Sequence, residues 1–222
     1  MVQVIIPAGG SGSRYSSSTS KLDETINQKS VLAHSIHQFH HHKSVSGIII
    51  AVPANKVAGY EGLATAYPKC RVIIGGNTRA HSVHQAFQYI SLPCEHVLIH
   101  DAARPNPSHA LINRVLEGLT HHPVVIPGIP MSDTLKQING ESIVKTVNRS
   151  DIIAVQTPQG FHYSALLNAY NAATSLDEFT DEAAVLEHHG VYGVHVNGDR
   201  ENIKITHPTD LRLARFYLSG DY

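Results

Sequence analysis

Three segments in the first half of this chain place glycines, hydroxyls and charges where they could handle phosphates and a planar ring. The first is Pro7-Ala8-Gly9-Gly10-Ser11-Gly12-Ser13-Arg14, with Lys21 beyond a Ser/Thr stretch. Glycines let backbone N–H groups close around phosphate oxygens, and a following Arg and Lys add charge-assisted hydrogen bonds. The order GGSGSR is neither a GxGxxG dinucleotide fingerprint nor a Walker A loop, which needs GK[ST]. Taken alone, it also fits a tight turn with a surface Arg. The second segment is Gly75-Gly76-Asn77-Thr78-Arg79-Ala80-His81-Ser82-Val83. Its glycines permit close approach of a ring, and Asn77 and Ser82 could hydrogen-bond base edges. The third, Val97-Leu98-Ile99-His100-Asp101-Ala102-Ala103-Arg104-Pro105, puts an Asp at the tip of an apolar run. Such an Asp holds a divalent metal in α/β nucleotide enzymes, or caps a helix. Later come Arg149, Gln156-Thr157-Pro158-Gln159-Gly160-Phe161, Thr180-Asp181-Glu182-Ala183 and Asn202-Ile203-Lys204-Ile205-Thr206, which have no mechanism by themselves.

Groups like these need strand ends to hold them. Strands are expected at Val2–Pro7, Gly47–Pro53, Arg71–Gly75, His96–Asp101, Val124–Pro127, Gly193–Asn197 and Asn202–Thr206. Most are continuous Val/Ile runs, the pattern of strands covered on both faces. Helices are expected at Val31–His42, Lys56–Tyr67, Arg79–Ile90, Pro107–His121, Tyr163–Thr174, Asp181–His189 and Asp210–Leu218. This alternation predicts an α/β fold, a mainly parallel doubly wound sheet with ligands beyond the carboxyl ends of its strands. Asp133–Val147 breaks the rhythm: two β-prone runs meet at Asn139-Gly140, a strong hairpin signal. It reads as a projecting arm that buries Leu135, Ile138, Ile143 and Val144 against a partner chain, or as an edge hairpin folded onto its own domain. Ser16–Ser20 reads as a mobile loop tip.

Composition narrows the classes. The chain has 17 Lys+Arg, 18 Asp+Glu and 17 His, so its formal charge is −1 and would reach +16 (−1 + 17) with every imidazole protonated. Behaviour below about pH 6.5 should therefore differ sharply from that at pH 7. A near-neutral balance argues against a general nucleic-acid binder or a polybasic membrane anchor. Apolar residues make up 42%, which excludes a disordered chain. No apolar run approaches the length of a membrane span, and MVQVIIPAGG reads as a first strand rather than a signal peptide. Cys70 and Cys94 stand alone, as expected of a cytoplasmic protein. His40-His41-His42, His121-His122 and His188-His189 are expected at solvated helix ends rather than around zinc, since no HExxH or nearby Cys accompanies them.

Together the motifs PAGGSGSR…K, GGNTRAHSV, HDAARP, SDTLK, NR…QTPQGF, TDEA and REN-IKIT-P-DL resemble, in order, those of the 2-C-methyl-D-erythritol 4-phosphate cytidylyltransferases. The resemblance runs from residue 2 to about residue 218. It implies one cytidylyltransferase domain over 1–222 with a Rossmann-like nucleotidyltransferase sheet, and a homodimer clasped through a β-arm at about 132–149. The implied reaction is Mg²⁺-dependent transfer of CMP from CTP to a sugar-alcohol phosphate in the non-mevalonate isoprenoid pathway. By the same resemblance Ala8, Gly9, Gly10 and Arg14 would hold the triphosphate, with Lys21 beside the α-phosphate. Gly76, Asn77 and Ser82 would read cytosine. Asp101 would face metal and substrate, with Arg104 close by. Thr134 and Arg149 would reach into the partner's site, and Thr180 and Lys204 would complete the pocket; Arg14, Lys21 and Lys204 would be the catalytic cations.

This chain departs from the family pattern in places. Asn77 stands where Asp is frequent, and His81 where Asp or Gln is. Ser20-Lys21-Leu22-Asp23 replaces PKQ[FY], which predicts a looser lid. Two rivals share parts of the pattern. A ribitol-5-phosphate cytidylyltransferase would use the same chemistry but tends to HDAVRP, where this chain has Ala103. An NAD(P)-binding Rossmann oxidoreductase would need the absent GxGxxG, and a non-catalytic relative would have lost charges that are all present here. Arg14, Lys21, Arg79, Arg104, Arg149 and Lys204 all fall inside the motifs, so a neutral chain is expected to be positive in one cleft.

Overall fold

The computed structural model describes residues 1–9, 15 and 20–220. Its elements run β1 (Val2–Pro7), β2 (Thr25–Ile26), β3 (Lys29–Ser30), α1 (Val31–His41), β4 (Val45–Val52), α2 (Val57–Ala66), β5 (Cys70–Ile74) and α3 (Arg79–Phe87). They continue with β6 (His96–Ile99), α4 (His109–Gly118), β7 (Val124–Pro130), β8 (Leu135–Asn139), β9 (Ser142–Val147), β10 (Ile153–Val155) and β11 (Gln159–His162). The chain closes with α5 (Tyr163–Ala172), α6 (Glu182–His188), β12 (Val194–Asn197) and α7 (Pro208–Ser219).

The main sheet has the order β10-β7-β11-β6-β1-β4-β5, with β12 also on β7. The pairs β1–β4, β1–β6, β4–β5 and β7–β12 are parallel. Side chains alternate faces along a strand. Val4 and Ile6 of β1 therefore join the layer with Leu32, Ile36 and Phe39 of α1. Ile5 joins the opposite layer with Val83 and Phe87 of α3 and Leu166 of α5. Burial on both faces is why these strands read as unbroken apolar runs.

Local chemistry sets the helix starts. The hydroxyls of Ser30, Thr78 and Ser108 accept from the N–H of Ala33, His81 and Leu111, and the Asp181 carboxylate accepts from that of Ala184. Each such cap contributes about 1 kcal/mol. Most expected helices are trimmed at their ends. The last is lengthened, because Pro208 occupies its first turn and Asp210 accepts from the backbone of Thr206 and His207.

Three expectations need correction. Asn202–Thr206 joins no ladder; it is pinned by Ile205 N–H to the Ala103 carbonyl at 2.9 Å and by Arg104 to the Asn202 carbonyl at 2.7 Å. The sheet's antiparallel member was not foreseen: β10 and β11 run antiparallel along β7 in succession, and β11 wedges between β7 and β6. Finally, His42 is not at a solvated helix end. It is 2% exposed, with its ring 3.0 Å from the Asn113 amide oxygen.

The hairpin stands apart as a separate two-stranded sheet of β8 and β9. Its turn is one residue later than Asn139-Gly140 predicts. Asn139 pairs with Ser142, leaving Gly140 and Glu141 as the turn, with Gly140 at φ +57°. Ile138 and Ile143 face each other across the ladder and are 64% and 66% exposed. The hairpin thus forms no ladder with the main sheet of its own domain. No helix among the described residues is long and apolar enough to cross a membrane.

Candidate active site

Because β1, β4, β5 and β6 are parallel, their carboxyl ends share one edge of the sheet, and the three glycine- and Asp-bearing segments emerge there. They line a cleft of about 400 Å³. Ala8 and Gly9 follow β1, Gly76, Asn77, Thr78, Arg79 and Ser82 follow β5, and Asp101, Ala102 and Ala103 follow β6. Lys21, Leu22, Tyr15, Lys204 and Thr206 complete the wall. Gly10 and Arg14 lie outside the described residues.

The glycines after β5 do more than admit a ring. A Cβ on Gly75 would sit 2.8 Å from the Ser82 hydroxyl, and one on Gly76 would sit 2.5 Å from the His81 Cβ. Glycine is thus what lets the first turn of α3 fold back on its own entry loop. The Ser82 hydroxyl lies 2.8 Å from the Thr78 carbonyl and 3.1 Å from that of Gly76, and it donates to one of them at a time. It therefore shapes this loop directly.

Asp101 is the electrostatic centre of the cleft. Lys204 Nζ donates to Oδ2 at 2.7 Å, Arg79 Nε donates to Oδ1 at 3.3 Å, and Arg104 Nε stands 4.0 Å away. Burial alone would raise the pKa of this carboxyl, but the surrounding charges of Arg79, Lys204 and Arg104 outweigh it and hold Asp101 well below the usual carboxylate range. The backbone is fixed as well. Asp101 N–H donates to the Thr157 hydroxyl at 3.0 Å, which lies 3.1 Å from Nδ1 of the buried His100. His100 Nε2 lies 2.9 Å from the Arg104 carbonyl, so it carries the ring proton and the Thr157 hydroxyl donates to Nδ1.

Several sequence-predicted residues lie elsewhere. Arg104 is buried and its guanidinium donates to the carbonyls of Asn202 and Val155, so it ties the Lys204 segment to the sheet rather than lining the cleft. Thr180 is exposed just before the α6 cap. Thr134 and Arg149 are exposed at the base of the arm, Arg149 donating to the Ser132 carbonyl. Sequence reasoning counted Arg79 only among the cations of the cleft and assigned no role to Glu182, Thr157 or His100. All four lie within the quoted motifs, but their pairing exists only in three dimensions.

Residues 16–19 of the expected lid lie outside the described residues, and the segment just after them, which carries Lys21, is anchored at several points. Lys21 Nζ donates to the Ile205 carbonyl at 3.1 Å, Leu22 is buried, and Asp23 accepts from the Tyr60 hydroxyl and, at 3.3 Å, from Lys56. Burial, then the Asp23 bond and charge, push the Tyr60 hydroxyl far up its range. Asp23→Ala strands that hydroxyl and frees the turn, and should lower turnover roughly tenfold. Asp23→Asn, which keeps the acceptor, should retain most activity. Steady-state rates of the two variants decide it, and equal rates would dismiss the clamp.

The donor set suits a phosphate-borne divalent ion. No group of three or more His, Cys, Asp or Glu that could hold a metal occurs among the described residues. Mg²⁺ is held in nucleotide sites by one or two carboxylates together with substrate phosphates, and Asp101 can be such a ligand.

A mostly parallel sheet, a glycine-rich sequence after β1, and a cleft where Lys204 pairs with Asp101 and Lys21 lines the same wall define an α/β nucleotidyltransferase. The sequence profile of the 2-C-methyl-D-erythritol 4-phosphate cytidylyltransferases matches residues 2–220. A Bacillus cereus protein of that name is 37% identical over 98% of both chains. The solved structure of the Francisella tularensis 2-C-methyl-D-erythritol 4-phosphate cytidylyltransferase superposes with a TM-score of 0.83 at 31% identity, covering 97% of this chain and 99% of the other. That of the Anaerococcus prevotii 4-diphosphocytidyl-2C-methyl-D-erythritol synthase gives a TM-score of 0.85 at 25% identity, over 98% and 96%. The chain belongs to the 2-C-methyl-D-erythritol 4-phosphate cytidylyltransferase family. Its activity is CTP-dependent cytidylyl transfer to 2-C-methyl-D-erythritol 4-phosphate in isoprenoid biosynthesis.

Proposed function

We propose how the cleft performs this transfer. A phosphate oxygen of methylerythritol phosphate attacks the α-phosphorus of CTP in line. The new P–O–P bond forms as the α–β bridge breaks, and that electron pair leaves on pyrophosphate. The nucleophile's second pKa is about 6, so it is mostly dianionic at pH 7 and needs no general base. Catalysis then consists of positioning and of neutralising charge on the α-phosphoryl group. Lys21 and Lys204 supply that charge, joined by Arg14. Ala8, Gly9 and Gly10 cradle the triphosphate, while Gly76, Asn77 and Ser82 shape the cytosine site. Asp101 would ligate Mg²⁺ together with phosphate oxygens, and the ion, when bound, neutralises triphosphate charge. The observation that carries this reading is the Lys204–Asp101–Arg79 network in one cleft with Lys21 and the Gly76 loop.

The reading extends to one catalytic domain over 1–222 acting as a homodimer in the cytoplasm. The exposed Ile138–Ile143 pair marks the arm surface that a second copy covers. Thr134 and Arg149 at its base then grip the sugar phosphate in the partner's cleft, with Arg104 and Thr180 supporting the pocket of their own chain. Free Cys70 and Cys94 accord with a reducing compartment. Pyrophosphate release with CTP and Mg²⁺ tests the substrate: methylerythritol phosphate should be turned over and ribitol 5-phosphate should not. Preference for ribitol phosphate would overturn the substrate assignment and leave the reaction class standing.

A further inference from the structure

Behind the cleft, Arg79 bridges two carboxylates on different elements. Its Nε reaches Asp101 at 3.3 Å, and its Nη1 reaches Glu182 at 2.9 and 3.3 Å. The Glu182 side chain is 2% exposed and that of Arg79 29%, so the pair runs from the core outward to the cleft wall. Each residue opens a helix, Arg79 after the Thr78 cap of α3 and Glu182 after the Asp181 cap of α6. A helix N-terminus favours a carboxylate and disfavours a cation. Glu182 is thus placed favourably, while Arg79 sits against the field of its own helix and needs an anion to hold it there. A charge buried this deeply is costly unless it is paired and hydrogen-bonded.

We propose that Glu182 is a positioning residue for cytidylyl transfer: it holds the Arg79 guanidinium between two carboxylates, so that Asp101 keeps an oxygen for Lys204 and the substrate side. This rests on the cytidylyl-transfer reading above. Without Glu182, Arg79 turns wholly toward Asp101 and competes with Lys204 for it. The Gly76–Thr78 loop that leads into Arg79 shifts with it, so both walls of the cleft are disturbed by a residue that touches neither substrate. The location of Glu182 beyond the cleft-lining residues separates this role from direct binding.

A double-mutant cycle tests the proposal. Arg79→Gln, Glu182→Gln and the double variant are compared by kcat/KM for methylerythritol phosphate at saturating CTP, per folded molecule, with folded fractions taken from thermal unfolding. Glu182→Gln should lose roughly 10- to 100-fold, the scale of a small misplacement of reacting groups. Arg79→Gln should lose a similar factor, and the double variant should be no worse than Arg79→Gln, because the two act as a unit. Multiplying losses, or a Glu182→Gln enzyme of normal kcat/KM per folded molecule and lowered Tm only, would make Glu182 structural and overturn the proposal. If Glu182→Gln does not fold, Glu182→Asp, which keeps the charge and shortens its reach to Arg79, is measured instead: a loss of kcat/KM per folded molecule supports the proposal and a normal value overturns it. Wild-type pyrophosphate release is run alongside. Its absence would remove the transfer reading itself, whereas normal wild-type turnover with an additive cycle would remove only the role of Glu182.

Discussion

Lys204→Ala should lower kcat by roughly 10²–10³, the scale for losing one preorganised electrostatic donor. The ammonium sits 2.7 Å from Asp101 at the cleft wall, and its side chain is 40% exposed. Its partner Asp101 is only 13% exposed, so whether the fold tolerates the loss depends on what else pairs with that carboxylate. Asp101 also keeps Arg79 and the nearby Arg104, so the carboxylate is not stranded and the fold should survive. The loss is therefore a loss of transition-state charge. It should appear in kcat more than in KM for CTP, since a dianionic nucleophile approaching a triphosphate needs its neutralising cation most when the α-phosphorus is five-coordinate. Lys21→Ala should behave alike. Its ammonium donates to the Ile205 carbonyl, one residue beyond Lys204, so the two cations are supported by one short segment. Pyrophosphate release by purified variants with unchanged unfolding midpoints is the measurement, and near-wild-type turnover in either would remove that lysine from the mechanism. Lys204→Ala also tests the proposed homodimer. Mixed with Arg149→Ala, it should regain about a quarter of wild-type activity, because half of random dimers pair the chains and each holds one intact site. No recovery would confine Arg149 to its own chain.

Much of this site was legible along the chain because strand ends punctuate it. Buried parallel strands must be apolar on both faces, so Val2–Pro7, Gly47–Pro53 and His96–Asp101 announce themselves, and the groups at their carboxyl ends follow. What the chain hides is of two kinds. β11 is Gln159-Gly160-Phe161-His162, directly after a Pro, and has no apolar run. It becomes a strand only because β6 and β7 flank it, and Gly160 suits the place because a Cβ there would lie 2.6 Å from a Val115 methyl of α4. Asn202–Thr206 is the converse. Its Ile-rich run predicts a strand, but it finds no neighbouring ladder and serves instead as a strap for Lys204. The second kind is pairing. Arg79 and Glu182 stand 103 positions apart in the chain, and neither motif says that one neutralises the other. In the hairpin, Asn-Gly marks a turn, but Asn139 stays in the ladder opposite Ser142, so Gly140 is first in the turn rather than second.

Acid should destabilise this protein within the pH range where histidine, not carboxylate, titrates. His100 is fully buried between Phe39, the Thr157 hydroxyl, the Arg104 carbonyl and the Asp101 main chain. Burial pushes its pKa down to about 4, against the pull of the Arg104 carbonyl bond and the Asp101 charge. The sign follows from linkage. Between the unfolded value near 6.5 and the folded value near 4, the unfolded chain binds a proton that the native protein refuses. The stabilisation from keeping this ring neutral is complete above pH 6.5 and lost as pH falls through that window. It amounts to about 3 kcal/mol in all, a large share of an ordinary domain's stability. His34, His37, His40, His42, His84 and His96 are also lowered, each first by burial, and act in the same direction. Asp101 acts lower down. Its depressed pKa contributes stability that is present above the ordinary carboxylate range and lost only below it, so it cannot account for a change between pH 7 and 5. Urea unfolding at pH 7, 6 and 5 should show stability falling steeply with acid. His100→Gln keeps a donor for the Arg104 carbonyl and an acceptor for Thr157, and should be weaker at pH 7 but flatter by one proton across the same range. A wild-type midpoint that does not move between pH 7 and 5, or a variant as pH-sensitive as the wild type, would show that the buried imidazoles are not what the fold protects from protons.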